Sequence, residues 1–132
     1  MTIFLILAPY GAFTFLMLVA PATNHTIAKI AAGLTDDLVS LMVCAAACPV
    51  VFAPAMNHRM WENPIAQQNV TKLQGLGYKF IGPEPGWLAC RNVGVGRMTE
   101  PKTVVSEIVR MLTEPGTRPA RVNPKAPNKN SK

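Results

Sequence analysis

The sequence feature that most constrains the fold is a four-residue pattern, Pro-Ala-x-Asn, that occurs twice. It stands at residues 21–24 and again at residues 54–57, each time directly after a short apolar run, Leu-Met-Leu-Val-Ala in the first case and Val-Val-Phe-Ala in the second. A continuous apolar run is typical of a strand in a parallel sheet, because such a strand is buried on both faces. Asparagine is a preferred residue at the start of a helix. Each pattern therefore predicts a strand that ends where a helix begins.

The rest of the chain continues the alternation of strands and helices. After the first strand at residues 16–20, two helices are predicted at 26–34 and 35–47, and a strand follows at 49–53. Further predicted elements are a helix at 61–76 ended by Gly77, a strand at 78–81, a long loop at 83–98 and a helix at 101–112. Such alternation predicts an α/β fold, a three-layer αβα Rossmann or flavodoxin-like parallel sheet with helices on both faces. These sheets bind ligands beyond the carboxyl ends of their strands.

The charge of the chain is concentrated at one end. Residues 1–112 carry eight Lys or Arg and six Asp or Glu, whereas residues 113–132 carry five and one. The basic excess therefore lies in the tail, which argues against a nucleic-acid surface on the folded part. We expect one domain at 1–112 and a disordered tail at 113–132, since the tail is rich in Pro, Asn and Lys.

The cysteines and the uncharged amino-terminal segment bear on metal binding and location. Cys44 and Cys48 share a helix face, but no second pair completes a tetrahedral set, so we expect buried structural thiols and no metal. Three cysteines without a predicted disulfide fit a reducing cytoplasm. Residues 1–24 lack charged side chains and are long enough to span a membrane, but Pro9, Gly11 and Pro21 interrupt them. We favour a soluble protein, with membrane insertion or export as the alternative.

Two side chains have chemistry suited to a site. The Asn57 amide can orient a carboxylate, or it can simply cap the helix that follows. Cys90 lies between glycines and close to Arg91 and Arg97, and positive neighbours favour a reactive thiolate. The alternative for Cys90 is an inert loop thiol. His58 is expected to lie in solvent.

Two stretches of the sequence resemble a known family. Residues 54–61 read Pro-Ala-Met-Asn-His-Arg-Met-Trp, and residues 88–98 read Leu-Ala-Cys-Arg-Asn-Val-Gly-Val-Gly-Arg-Met. They resemble the P-x-M-N-x-x-M-W motif and the A-C-G-D-x-G-x-G-R-M substrate flap of flavin-dependent cysteine decarboxylases, most closely the phosphopantothenoylcysteine decarboxylases of coenzyme A synthesis. The resemblance runs from about residue 16 to residue 101.

The resemblance implies a reaction and roles for individual residues. The implied activity is FMN-dependent decarboxylation of 4′-phosphopantothenoylcysteine to 4′-phosphopantetheine. Asn57 would hold the substrate carboxylate and Cys90 would donate a proton from the flap. Ala89 and Arg97 would contribute to substrate binding.

The same resemblance implies where FMN binds. The matching family segment is usually Ser/Thr-Ala-Asn-Thr, so Thr23 and Thr26 fit it, while Asn24 and His25 replace Ala-Asn. A small residue at Ala55 would let the backbone approach the flavin. His25 matches a binding position, so we do not assign it as a catalytic base.

The sequence also departs from the family pattern. The family's Gly-Ser phosphate loop and catalytic histidine precede the strand at 16–20, and residues 1–15 contain neither. We therefore expect a flavoprotein domain whose amino-terminal part is missing, with at most one substitute strand at residues 1–9. In the flap, Arg91 and Asn92 stand where Gly-Asp is usual. Relatives are trimer-based with FMN between subunits, so a homo-oligomer is implied. The alternative is a non-catalytic partner subunit or an inactive gene fragment.

Overall fold

The computed structural model describes residues 3–7, 16–87 and 93–113, and gives side chains for the last two ranges. Six strands and five helices lie in these ranges. The strands are β1 Ile3–Leu7, β2 Leu16–Ala22, β3 Val50–Pro54, β4 Lys79–Phe80, β5 Glu84–Trp87 and β6 Val93–Arg97. The helices are α1 Asn24–Ala31, α2 Leu38–Ala45, α3 His58–Trp61, α4 Pro64–Gly75 and α5 Pro101–Thr113.

Strands β1 to β4 form one sheet in the order β1-β2-β3-β4. Strands β2, β3 and β4 run parallel, with Leu18 opposite Val51 and Phe52 opposite Phe80. This part of the fold prediction is confirmed. Strand β1 lies within the segment expected to supply a substitute strand, but it pairs antiparallel to β2, with Leu5 opposite Leu18. The sheet is therefore mixed rather than wholly parallel.

The sheet has a hydrophobic cluster on each face. Successive side chains of a strand point to opposite faces, so Met17 and Val19 of β2 face one way and Leu16 and Leu18 the other. The first face packs against helices α1, α2 and α4 and the second against α5. The predicted layering of helices on both faces of a sheet is confirmed.

The helix ends follow the chemistry of the sequence. Thr23, Asp37, Asn57 and Asn63 have extended backbones and accept a backbone N–H of the following turn, which makes them the N-caps of α1 to α4. Gly77 has a φ of 99° after the end of α4, in agreement with the predicted stop.

The single helix predicted at residues 61–76 is wrong in its first turn. The structure has two helices there, because Asn63 has an extended backbone (φ −62°, ψ 129°) and Pro64 begins α4. A residue before proline is disfavoured in the helical region, and proline suits the first helical position. Helix α3 therefore ends at Trp61 and only α4 continues to Gly75.

The structure also decides the expectations for the 83–98 loop and for two cysteines, but not that for the tail. The loop predicted at 83–98 contains an antiparallel hairpin of β5 and β6, with Gly86 opposite Gly94. Cys48 is buried as expected, but Cys44 is exposed, because α2 turns Ser40 and Val43 inward instead. The tail beyond Thr113 lies outside the described residues.

The described ranges, residues 3–7, 16–87 and 93–113, contain neither a membrane-spanning helix nor a cluster of metal ligands. None of their helices is long and apolar enough to cross a membrane. Within the same ranges, no three His, Cys, Asp or Glu side chains are grouped closely enough to hold a metal ion.

Candidate functional site

The two Pro-Ala-x-Asn junctions lie side by side at one edge of the sheet. Ala22 at the end of β2 is the register partner of Pro54 at the end of β3. Beyond them, the backbone N–H of Ala55 donates to the carbonyl oxygen of Ala22 at 3.0 Å. The two helix starts therefore lie next to each other at the carboxyl ends of neighbouring parallel strands. Open α/β sheets bind their ligands at this edge.

The first junction presents two hydroxyls at the start of α1. The Oγ1 of Thr23 lies 3.0 Å from the Oγ1 of Thr26 and accepts the backbone N–H of Thr26 at 3.2 Å. Asn24 and Thr26 are half-buried, while His25 is exposed. No acidic residue lies in the first turn of α1, so its partial positive charge favours a negative ligand group.

The second junction holds Asn57 in a fixed geometry. Its Oδ1 accepts the backbone N–H of Arg59 at 2.9 Å, and its backbone carbonyl accepts from Met60 and Trp61. The side chain is half-buried, as is that of Ala55. The capping role considered from the sequence is present, and it holds the amide at the start of α3. The carboxylate-holding role stays a prediction.

The β5–β6 hairpin rests directly on the second junction. The backbone N–H of Met56 donates to the carbonyl oxygen of Gly96 at 2.9 Å. A Cβ on Gly96 would lie 2.2 Å from the Met56 oxygen, and one on Gly94 would lie 2.6 Å from the Cβ of His58. These two glycines are therefore required by close contact, in addition to the positive φ of Gly96.

The expectation that His58 lies in solvent is wrong. The side chain is half-buried under the hairpin, and its Nδ1 is buried without a hydrogen-bond partner among the residues that the structure describes. The sequence carried one signal for this arrangement. Glycines two residues apart in a strand point to the same face, and Gly94 and Gly96 both face residues 56–58.

The other flap residues are only partly described. Arg97 is exposed and forms an ion pair with Glu100. Ala89, Cys90, Arg91 and Asn92 lie outside the described residues, so the structure does not place the predicted thiol.

An open groove of about 430 Å³ lies elsewhere, between the end of β4 and α5. Gly82, Thr99 and Arg110 line it, and none of the predicted site residues does. It is therefore a separate feature from the two junctions.

The fold and the paired junctions define an α/β domain of the class that binds ligands beyond the carboxyl ends of its parallel strands. The chain belongs to the Flavoprotein family, whose model matches residues 6–113. It is 43% identical over 99 residues to the coenzyme A biosynthesis bifunctional protein CoaBC of Borreliella burgdorferi, a match covering 75% of this chain and 25% of the relative.

Two solved structures are similar to this chain. One is a C175S mutant of PPC decarboxylase complexed with pantothenoylaminoethenethiol, with a TM-score of 0.69 and 35% identity over 71% of this chain and 53% of the other. The second is the FMN-dependent cysteine decarboxylase SpaF, with a TM-score of 0.58 and 35% identity over 73% of this chain and 51% of the other. The chain therefore spans between a quarter and about half of the length of these relatives. Its homologues include FMN-dependent decarboxylases.

Proposed function

We propose that this chain acts in the FMN-dependent decarboxylation of 4′-phosphopantothenoylcysteine to 4′-phosphopantetheine. The observation that carries the proposal is the convergence of the Thr23 junction, the Asn57 junction and the glycine hairpin at one sheet edge. The likeness to CoaBC and to a PPC decarboxylase bound to a pantothenoyl compound supports the choice of this substrate.

The residues present at the first junction fit FMN. Thr23, Asn24, His25 and Thr26 supply hydroxyl, amide and imidazole groups at the positive end of α1, which suits a phosphate or the polar edge of a ring. Ala55 adds a small side chain at the adjacent junction, and its backbone is tied to Ala22. The proposed cofactor site therefore combines polar groups with room for close approach.

FMN, when bound, supplies the redox chemistry at the substrate thiol carbon that makes loss of carbon dioxide feasible. The protein residues bind and orient the substrate. The Asn57 amide holds the substrate carboxylate, and its cap to Arg59 fixes the direction in which the amide points. Cys90, on the flap, donates the proton that completes formation of the saturated product, and Ala89 and Arg97 bind substrate.

A non-catalytic partner subunit, or an inactive gene fragment, is the second candidate. The observation that favours it is the departure of the flap from the family pattern, since Arg91 and Asn92 stand where Gly-Asp is usual. In this reading the chain keeps part of the flavin site and completes it only with another subunit. A trimer-based homo-oligomer with FMN between subunits is the corresponding proposal for an active assembly.

The test is an absorbance spectrum of the purified protein with identification of any released flavin. Bound FMN, followed by decarboxylation of 4′-phosphopantothenoylcysteine that is lost in Asn57→Ala and Cys90→Ser, supports the enzyme. A colourless protein that takes up no added FMN contradicts it. Co-expression with a full-length relative then separates the alternatives, because a partner subunit assembles with it and a fragment does not.

A further inference from the structure

Gly94 and Gly96 of the β5–β6 hairpin are needed because of their contacts with residues 56–58. Flexible loops use glycine for conformational freedom, but Gly94 has no positive φ and sits against the Cβ and Cγ of His58, which would lie 2.6 and 2.8 Å from an added methyl group. Gly96 faces the backbone of residues 56–58, and its carbonyl oxygen accepts the Met56 N–H. Strand β6 is therefore docked on the second junction.

The position of His58 calls for a physical reason. Its Nδ1 is buried and has no hydrogen-bond partner among the residues described, a situation that costs stability in a folded protein. The ring is held by packing under Gly94 and by its place as the first residue of α3. Asn57, the N-cap of the same helix, immediately precedes it.

We propose that His58 is a positioning residue. Its contact with Gly94 sets the distance between β6 and the second junction. Because His58 and Asn57 belong to the same turn of α3, it also sets the direction of the Asn57 amide. The proposal rests on the proposed function for its effect on turnover. Its structural part, the docking of β6 by the His58–Gly94 contact, stands on the contacts alone. The nitrogen atoms of His58 take no part in it.

The distances provide a rescue experiment. In Gly94→Ala the new methyl group meets the His58 side chain, whose Cβ cannot swing away, so β6 is pushed off the junction. His58→Gly removes the Cβ and Cγ that the new methyl group would meet. In the double variant His58→Gly/Gly94→Ala the methyl group therefore occupies the vacated space. In Gly96→Ala the obstacle is the Met56 carbonyl oxygen, which no side-chain change removes. That variant is the matched control.

The readout is hydrogen exchange of the Met56 amide, which donates to Gly96 across the contact. We expect Gly94→Ala to reduce its protection about tenfold, a typical effect of overpacking. The double variant should return to within about threefold of wild type. Adding His58→Gly to Gly96→Ala should restore nothing. Full protection in Gly94→Ala, or failure of the double variant to recover, would overturn the proposal.

A second arm tests positioning against chemistry. His58→Phe keeps a planar ring and removes the nitrogens, so we expect it to retain both Met56 protection and kcat/KM, while Gly94→Ala loses about tenfold in kcat/KM. A His58→Phe protein with a protected Met56 amide and no turnover would overturn the assignment. If wild type itself neither binds FMN nor turns over substrate, the proposed function fails, and hydrogen exchange still decides whether His58 docks the hairpin.

Discussion

The side chain of Asn57 caps α3 through Oδ1, which accepts the Arg59 N–H at 2.9 Å. Asp caps a helix about as well as Asn, so Asn57→Asp should keep the free energy of unfolding within about 0.5 kcal/mol of wild type, whereas Asn57→Ala should lose about 1 kcal/mol. The added carboxylate would repel the substrate carboxylate, so we expect kcat/KM of Asn57→Asp to fall about 10²-fold or more. Denaturant unfolding and a decarboxylation assay measure the two effects.

That comparison separates the two roles of Asn57. An Asn57→Asp protein with normal stability and normal turnover would show that the residue only caps the helix. Gln at this position is a useful control, because it keeps an amide but moves it away from the cap.

At the residue scale, the sequence predicted Asn57 but not His58. An asparagine after a strand and a proline is a local signal for a helix start, and the structure confirms that Asn57 is the N-cap. The burial of His58 has no local signal, because the atoms that cover it belong to Gly94, a residue of another element. Contacts of this kind depend on how elements pack, which a single sequence does not determine.

Besides sharing a hydrophobic cluster, helices α1 and α2 are linked by ion pairs. Lys29 near the end of α1 contacts Asp36 at 2.9 Å and Asp37, the N-cap of α2, at 2.5 Å. The hydrogen bond from Lys29, followed by the Ser40 backbone N–H, lowers the pKa of Asp37 from 3.8 to about 2. Because the folded protein binds this proton less readily than the unfolded chain, the contribution is present above pH 3.8 and is lost as the pH falls through about 2.

We therefore expect Asp37→Asn to be less stable than wild type near neutral pH and the difference to shrink between about pH 4 and pH 2. Asn still caps the helix, so the difference reports the charge. Asp36→Asn is the control, since Asp36 has a more exposed side chain and does not cap α2. Thermal unfolding across this pH range measures the stability difference between wild type and Asp37→Asn. A difference that persists at pH 2 would contradict the role of the Asp37 charge.

The end of α4 offers two glycines with opposite expectations. Gly77 has a φ of 99°, and its N–H donates to the carbonyl oxygen of Gln74. The N–H of Tyr78 donates to the carbonyl oxygen of Leu73. Gly77→Ala should cost about 1–2 kcal/mol because a Cβ is strained in this backbone region. Gly75, the last residue of α4, has nothing within 4 Å of an added Cβ, so Gly75→Ala should gain about 0.4–1 kcal/mol. Denaturant unfolding of both variants tests the cap, and effects of equal sign would contradict it.

At the element scale, capping and proline signals located the ends of helices better than apolar periodicity did. Asn57 and Gly77 marked a helix start and a helix end correctly. The helix predicted at residues 61–76 ran through Asn63 and Pro64, although this pair is itself a start signal. The hairpin was missed because Pro85, Gly86, Gly94 and Gly96 are typical of loops, while the contact of β6 with residues 56–58 joins separate elements of the chain.

At the scale of the whole molecule, the short apolar runs indicated that both faces of the sheet are covered, and the structure places a cluster on each. The direction of β1 was not predicted, because a buried strand has the same composition whichever way it runs. Among the described residues, the two faces of the sheet are covered by unequal numbers of helices. Three helices pack on one face, while α5 alone supplies the helical side of the other through Val104, Ile108 and Met111.

Because α5 is the one helix on its face of the sheet among the described residues, it could unfold together with the other elements of the domain or separately from them. Ile27 of α1 and Ile108 of α5 are both buried, one on each face of the sheet. A domain of this size usually unfolds in one cooperative transition, so Ile27→Val and Ile108→Val should each lower its free energy of unfolding by about 0.5–1.5 kcal/mol. Far-ultraviolet circular dichroism and tryptophan fluorescence should give the same midpoint in each variant. An Ile108→Val protein that loses helical signal before its fluorescence changes would show that α5 detaches separately, and that one helix does not suffice to hold that face of the sheet.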